Sequence, residues 1–216
     1  MIVVLLGPPG AGKGTQGERI AKSLGVPKIS TGDVIRDAMN RGTPLGREAK
    51  AFYDKGDLVP DAVIMGIIRD VLAAPEQAQG VVLDGVVRTV PQAEGLSAVL
   101  GELRRTLDLV MLFAIPDELL VVRLSARTMC SACGTPFTAR EPGELHADCK
   151  STPKGTLVRR KDDEPDAVRN RLGVYTAQTA PVIAWYRANG ARVAEIDAVG
   201  TPDEVYERAL AATLAP

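Results

Sequence analysis

Apolar residues fall along this chain in two rhythms. One is the short unbroken run. Met1-Ile-Val-Val-Leu-Leu6 opens the chain with such a run, and Gly80-Val-Val-Leu-Asp84 and Leu107–Ile115 repeat it. Runs of this kind suit strands of a parallel sheet covered on both faces. Val3–Leu6, Pro27–Ser30, Gly80–Asp84, Leu107–Ile115 and Arg192–Ile196 are therefore predicted as five strands. The other rhythm has helical spacing. It predicts helices over Lys13–Leu24, Asp61–Ala73, Pro91–Leu103, Pro116–Thr128, Pro165–Ala188 and Pro202–Leu214. Thr31 opens a further helix as a plausible N-cap. From Asp37 to Pro60 the pattern breaks at Gly42, Pro44, Gly46, Gly56 and Pro60, and reads as short helices forming an excursion from the sheet. Alternating strands and helices imply a three-layer α/β fold with a parallel sheet.

One stretch breaks this order. Met129–Arg159 holds all three cysteines, the single histidine, many glycines and prolines, and few large apolar groups. It cannot build much of a core and reads as a small inserted subdomain. Three cysteines so placed argue against a disulfide framework and for a cytosolic protein. The formal net charge of −1 suggests neither a nucleic-acid surface nor a polybasic membrane anchor. No segment approaches membrane-spanning length.

Chemistry enters directly after the first strand. Gly7-Pro-Pro-Gly-Ala-Gly-Lys-Gly-Thr15 fits the pattern of a phosphate-cradling loop, with Lys13 as its cation. Its glycines let backbone N–H groups converge on one anion, and the helix that follows points its positive end at the same spot. Gly14 stands where Ser or Thr is usual, and the hydroxyl comes one place later at Thr15. Asp84 ends an apolar strand, which in a phosphate-loop fold is the place of a magnesium-holding acid; Asp33 is a second candidate. Arg36, Arg88, Arg123, Arg127, Arg160 and Arg171 fall at the ends of elements or near the inserted segments. Arg123 and Arg127, four apart, are expected to share one helical face. Convergent arginines suit phosphoryl transfer, because a guanidinium grips two oxygens at once.

Gly-Pro-Pro-Gly-Ala-Gly-Lys-Gly-Thr-Gln16, Thr31-Gly-Asp-Val-Ile-Arg36, Asp84-Gly85 with Arg88 and Gln92, and Arg160-Lys-Asp-Asp163 together resemble adenylate kinase of the long-lid type. The resemblance runs from the first residue to the final helix. It implies a P-loop core over 1–30, 61–125 and 164–216, built on a central five-stranded parallel sheet. An AMP-binding insertion over 31–60 and a lid over 126–163 complete it. The implied reaction is MgATP + AMP ⇌ 2 ADP. Gly10, Ala11, Gly12, Lys13, Gly14 and Thr15 would hold ATP phosphates, and Gly200 would contact the ATP adenine by its backbone. Thr31, Arg36, Gly85 and Arg88 would bind AMP, with Gln92 on its adenine and the backbone near Leu58 and Val59 beside it. Arg123, Arg127, Arg160 and Arg171 would surround the transferred group; Asp33, Asp84 and Thr15 would hold Mg²⁺ through waters. A monomer is expected. A kinase for UMP or CMP is the nearest alternative. A GTPase-like switch would need a guanine-reading Asn-Lys-x-Asp, which is absent.

Two departures stand out against that family. Its usual Phe-Pro is replaced by Val86-Val87, and if a cis bond precedes that proline, Val87 is not expected to copy it, since a non-proline cis bond costs about 2.5–4 kcal/mol. In the lid, Cys130-Ser-Ala-Cys133 looks like half of a zinc knuckle, but only Cys149 follows. His146, two residues apart from Cys149, is the favoured fourth ligand, giving a structural Cys3His site; Thr152 and Asp148 are weaker alternatives, and a metal-free lid is the other reading.

Overall fold

Strand β1 (Ile2–Leu6) explains the architecture by the way it alternates. Ile2, Val4 and Leu6 pack into one apolar cluster and Val3 and Leu5 into another, and all five are buried. A strand buried on both faces must lie inside a sheet covered by helices twice over. The computed structural model describes residues 1–53, 59–138, 140–159 and 163–215. In it β1 sits at the centre of a parallel sheet with β2 (Lys28–Ser30), β3 (Val81–Asp84), β4 (Leu109–Ala114) and β8 (Val193–Asp197), in the order β2-β3-β1-β4-β8.

Helices α2 (Thr31–Asn40), α3 (Pro44–Tyr53), α4 (Asp61–Leu72), α5 (Val90–Glu102) and α8 (Ala180–Ala188) supply the cluster on one face. Helices α1 (Lys13–Leu24), α6 (Asp117–Ser125) and α9 (Pro202–Leu214) supply the other. Each buried aliphatic side chain in these layers is worth about 1.5–3 kcal/mol relative to exposure. This matches the predicted three-layer fold with its five parallel strands. The register Leu5↔Asp84 and Ser30↔Asp84 brings the carboxyl ends of β1, β2 and β3 to one edge. Strand order turns outward in both directions from β1, and the crevice such a switch leaves beyond the strand ends is where α/β sheets bind ligands.

Between α6 and α7 (Pro165–Val174) lies a second, antiparallel sheet, ordered β6-β5-β7, from β5 (Arg127–Cys130), β6 (Pro136–Thr138) and β7 (Leu157–Val158). Among the described residues its buried cluster is Cys130, Cys149 and Leu157, with Phe137 against it. The long helix expected over Pro165–Ala188 runs as α7, a π-helical turn over Tyr175–Thr179 and then α8.

Three local expectations are corrected. The helix predicted to Thr128 ends at Ser125, and Arg127 opens β5. From there burial alternates residue by residue, and pairing of Thr128 with Phe137 and of Met129 with Pro136 and Val158 outweighs continuation of the helix. Arg123 and Arg127 therefore do not share a helical face. Ser30, not Thr31, caps α2: Ser30 is extended by its pairing with β3, and its hydroxyl accepts from the Asp33 N–H. Thr31 is the first helical residue and donates instead to the Gly85 carbonyl at 2.8 Å. As expected, the Val86–Val87 bond is trans, and both valines are buried in the core.

Helices α2 and α3 meet closely at Gly46, where a Cβ would run into the Ala38 carbonyl and lie 2.8 Å from the Met39 nitrogen. Gly46→Ala should force the pair apart and destabilise the fold by roughly 1–3 kcal/mol, read as a lower urea midpoint with little change in slope.

Candidate active site and metal cluster

The loop after β1 is set by its glycines. Gly7, Gly10 and Gly12 have φ of 141°, 87° and 89°. At Gly7 a Cβ would lie 2.7 Å from the Phe113 carbonyl, so the loop presses onto β4 as well as turning. Gly12 takes the N-cap of α1 in the left-handed region, with no side-chain hydrogen bond capping the helix. The Lys13 ammonium is folded back, donating to the Gly7 carbonyl at 2.6 Å and the Pro8 carbonyl at 2.9 Å. Gly14 abuts Asp84: a Cβ there would sit 3.5 Å from the carboxylate. The acid at the end of β3 thus stands against the start of α1.

The charges converge on Lys13. Its burial lowers the ammonium pKa to about 8; Asp84 works in the opposite direction, while Arg88, Arg171 and Arg127 add to the depression. Four cations that the sequence scatters from position 13 to position 171 are thus near enough to feel one another. Lys28 adds a fifth, 4.0 Å from Asp84 and 3.6 Å from Glu18.

The arginines are held in different ways. Arg127 donates from Nε and Nη2 to both oxygens of Asp163, at 2.7 and 2.5 Å, and Arg171 reaches the same carboxylate at 3.3 Å. The Asp163 side chain is only 3% exposed. Arg123 points elsewhere, to the carbonyls of Ala198 and Gly200 at 2.9 and 3.4 Å. Gly200, at φ 114°, lies in a loop fastened by Arg208 to the Val199 carbonyl. Arg88 lies over Gly85, its Nε donating to that carbonyl at 3.2 Å. Its backbone is pinned on both sides: the N–H donates to Gln92 Oε1 at 2.8 Å, and the carbonyl accepts from Thr179 Oγ1 at 2.8 Å. Arg36 pairs with Asp33 at 2.5 Å. Hydrogen bonds from Ser30 and Arg36 hold Asp33 below the usual carboxylate range, against the opposing effect of its partial burial. Thr15 is exposed on the first turn of α1, and Val59 packs half-buried against the core. Leu58 and Arg160 lie outside the described residues.

Sequence reasoning passed over three residues. Asp163 sat within the quoted Arg160–Asp163 motif, but the arginines drew the attention. Asp61, which accepts from Gln92 Nε2 at 2.7 Å, and Thr179 carried no sequence signal, since each acts on a residue far away in the chain.

The second sheet brings Cys130, Cys133, His146 and Cys149 together, with one ligand atom from each all within 4.8 Å of one another. Cys130 and Cys149 sulfurs are 3.7 Å apart, and Cys133 Sγ lies 3.3 Å from His146 Nδ1. Two thiolates on one tetrahedral zinc stand about 3.8 Å apart, so the spacing fits. Asp148 and Thr152 are exposed, whereas His146 is buried, its ring edge-on to Phe137. Backbone N–H groups, that of Gly155 foremost, lower the Cys149 thiol to about 6, which favours the thiolate that binds metal. Gly155 itself cannot be larger, because a Cβ would fall 2.5 Å from Cys130 Sγ.

A phosphate cradle ringed by cations suits a reaction in which phosphate charge passes from one nucleotide to another, so fold and site define a P-loop phosphotransferase. Comparison with known proteins narrows this. The family model described as "Adenylate kinase" matches residues 5–191. The chain is 60% identical over 212 residues to the adenylate kinase of Gemmatimonas aurantiaca, covering 98% of each chain. It is 45% identical to that of Methanothrix thermoacetophila, over 96% of this chain and 95% of that one. With the adenylate kinase of Kosmotoga olearia it shares 42% identity, over 96% and 98%. The chain belongs to the adenylate kinase family, and its reaction is phosphoryl transfer between ATP and AMP.

The depressed lysine makes a testable statement about pH. In the nucleotide-free protein Lys13 loses its proton as pH rises through about 8. Bound phosphates favour the charged form, so above that pH binding must take up a proton and affinity falls, by up to about tenfold per pH unit. Calorimetry of ATP binding in two buffers of different ionisation enthalpy should show little proton uptake at pH 7 and uptake approaching one proton at pH 9. Lys13→Arg should abolish that difference.

Proposed function

We propose that the chain divides the reaction between a fixed donor cradle and cations that close on it. The loop amides from Gly10 to Thr15 and Lys13 hold the β and γ phosphates of ATP, with the Gly200 backbone beside the ATP adenine. Thr31, Arg36, Gly85 and Arg88 take AMP, with Gln92 on its adenine and the backbone at Leu58 and Val59 alongside. Arg123, Arg127, Arg160 and Arg171 surround the group in transit. Residues 31–60 serve as the AMP-binding insertion, 126–163 as the lid, and the rest as the core. The observation that carries this reading is the convergence of Arg88, Arg127 and Arg171 with Asp84 on Lys13.

An oxygen of the AMP phosphate attacks the γ-phosphorus of ATP, the bond to the β-phosphate oxygen breaks, and its electron pair leaves with ADP. The nucleophile is already an anion, so no general base is required. The work left to the protein is alignment and charge stabilisation. The arginines supply bidentate contacts to equatorial oxygens. Closure of the lid would keep water from accepting the phosphoryl group. Magnesium, held through waters by Asp84, Thr15 and Asp33, would neutralise phosphate charge; oxygen donors such as the half-buried Asp84 carboxylate beside Gly14 and the exposed Thr15 hydroxyl suit a cation that keeps much of its hydration.

Zinc in the Cys130–Cys133–His146–Cys149 cluster would be structural, since four protein ligands leave no open position. It would also supply the cohesion that a cluster of three buried side chains and Phe137 lacks. Reduced thiols of this kind support a cytoplasmic location. Both nucleotide sites come from one chain, which supports a monomer.

Purified protein with MgATP should form ADP fastest with AMP; faster turnover of UMP or CMP would overturn the choice of acceptor. Arg127→Lys should lower kcat at least tenfold, because a point charge cannot replace the forked contact. Protein prepared without chelator should carry about one zinc per chain. His146→Ala and Gly155→Ala should both lower that content and make the second sheet more sensitive to protease, whereas full zinc in His146→Ala would exclude the histidine as a ligand.

A further inference from the structure

Gln92 lies in the first turn of α5 and is only 8% exposed. Its amide is held at both ends. Oε1 accepts from the Arg88 N–H at 2.8 Å, and Nε2 donates to Asp61 Oδ1 at 2.7 Å. Asp61 begins α4, 31 residues earlier in the chain.

A glutamine amide is nearly symmetric in shape but opposite in its two ends: the oxygen only accepts and the nitrogen only donates. Left free, it can turn over, and would then offer a base either order of donor and acceptor. Such a residue cannot by itself tell a ring nitrogen that accepts, beside an amino group that donates, from a ring N–H beside a carbonyl. The partners here remove that freedom. Turned over, Nε2 would face the Arg88 N–H and Oε1 would face the Asp61 carboxylate. Both contacts would set like against like, and an ionised carboxylate has no proton to offer. Each end of the locked amide keeps one further valence, a second N–H and a second lone pair, which on the assignment of Gln92 to the adenine face the base along the edge shared by O and N. That edge presents donor and acceptor in fixed order.

We propose that Asp61 is a specificity-determining positioning residue: by fixing the amide of Gln92 it commits the acceptor site to the adenine pattern and against 6-oxopurines. Asp61 touches no nucleotide; it acts through Gln92. The proposal rests on Gln92 facing the base of AMP. Adenine offers N1 as acceptor beside N6–H as donor, which meets the locked edge. Inosine monophosphate has the same size and shape but carries N1–H and O6, so it would face donor with donor and acceptor with acceptor. Buried polar groups left unpaired in this way give larger discrimination than apolar contacts can.

The test is the ratio of kcat/KM for AMP to that for inosine monophosphate, which does not depend on how much of a variant preparation is folded. Asp61→Asn can turn its own amide to suit Gln92 in either orientation, and Asp61→Ala removes the partner; either way, the Arg88 N–H alone is left to order the amide. In both, the ratio should fall at least about tenfold, with a gain for inosine monophosphate and a several-fold higher KM for AMP at little changed kcat. Gln92→Leu separates the two layers of the reading. If it leaves KM for AMP unchanged, Gln92 does not read the base and the underlying assignment fails. If it raises that KM while the Asp61 variants change both substrates in equal proportion, the contact stands and the positioning role of Asp61 is overturned.

Discussion

Like charges gathered in one cleft repel, and this fold is arranged around that fact. Two cations about 5 Å apart cost about 3 kcal/mol at an effective dielectric of 20. Lys13, Arg88, Arg127 and Arg171 are near enough that three of them help strip the proton from the first. Asp84 and Asp163 make the gathering tolerable before any nucleotide arrives. Asp163 is nearly buried and grips Arg127 with both oxygens while touching Arg171. Asp84 stands at the end of β3 against the glycine that follows Lys13. The phosphates of the substrates, more highly charged than either acid, complete the neutralisation. Substrate binding and relief of this repulsion therefore draw on the same energy.

The second sheet meets a different constraint. It must carry Arg127 on a body with scarcely any apolar core. Four sulfur and nitrogen atoms collected in one small volume could hold a metal ion, and on the proposed function coordination takes the place of hydrophobic mass. On that reading, stability of the three-layer core and cohesion of the second sheet have separate physical origins.

The core was largely legible in the sequence because both of its signals are local. Unbroken apolar runs marked β1, β3 and β4, and the loop from Gly7 to Thr15 marked the phosphate cradle. Misreadings arose where local signals coincide. Leu120, Leu124 and Thr128 are spaced by four and all are buried, so the helical rhythm of α6 carries on past its end and disguises the strand that holds Arg127. Ser30 and Thr31 are adjacent hydroxyls, and only the pairing of Ser30 with Asp84 decides which one caps α2. The candidate metal cluster was legible in its cysteines and in His146, which spacing and ligand chemistry favoured; the fold sets His146 among the thiols and leaves Asp148 and Thr152 exposed. The supporting acids were the least visible. Asp61 and Asp163 act across 31 and 36 residues, and an isolated aspartate at a helix start looks the same whether or not it holds a distant amide.

The two clamps on the peptide of Arg88 have a metric consequence. One backbone residue is fixed from one side by Gln92 and from the other by Thr179, at the π-helical turn between α7 and α8. The side chain proposed to read the base and the guanidinium proposed to hold the phosphate therefore start from a single anchored point. Both side chains start from one short stretch, β3 to α5, whose Arg88 peptide is held at two points. With the roles proposed for them, the site works as a gauge of length: it measures one nucleoside and one phosphate from a common zero.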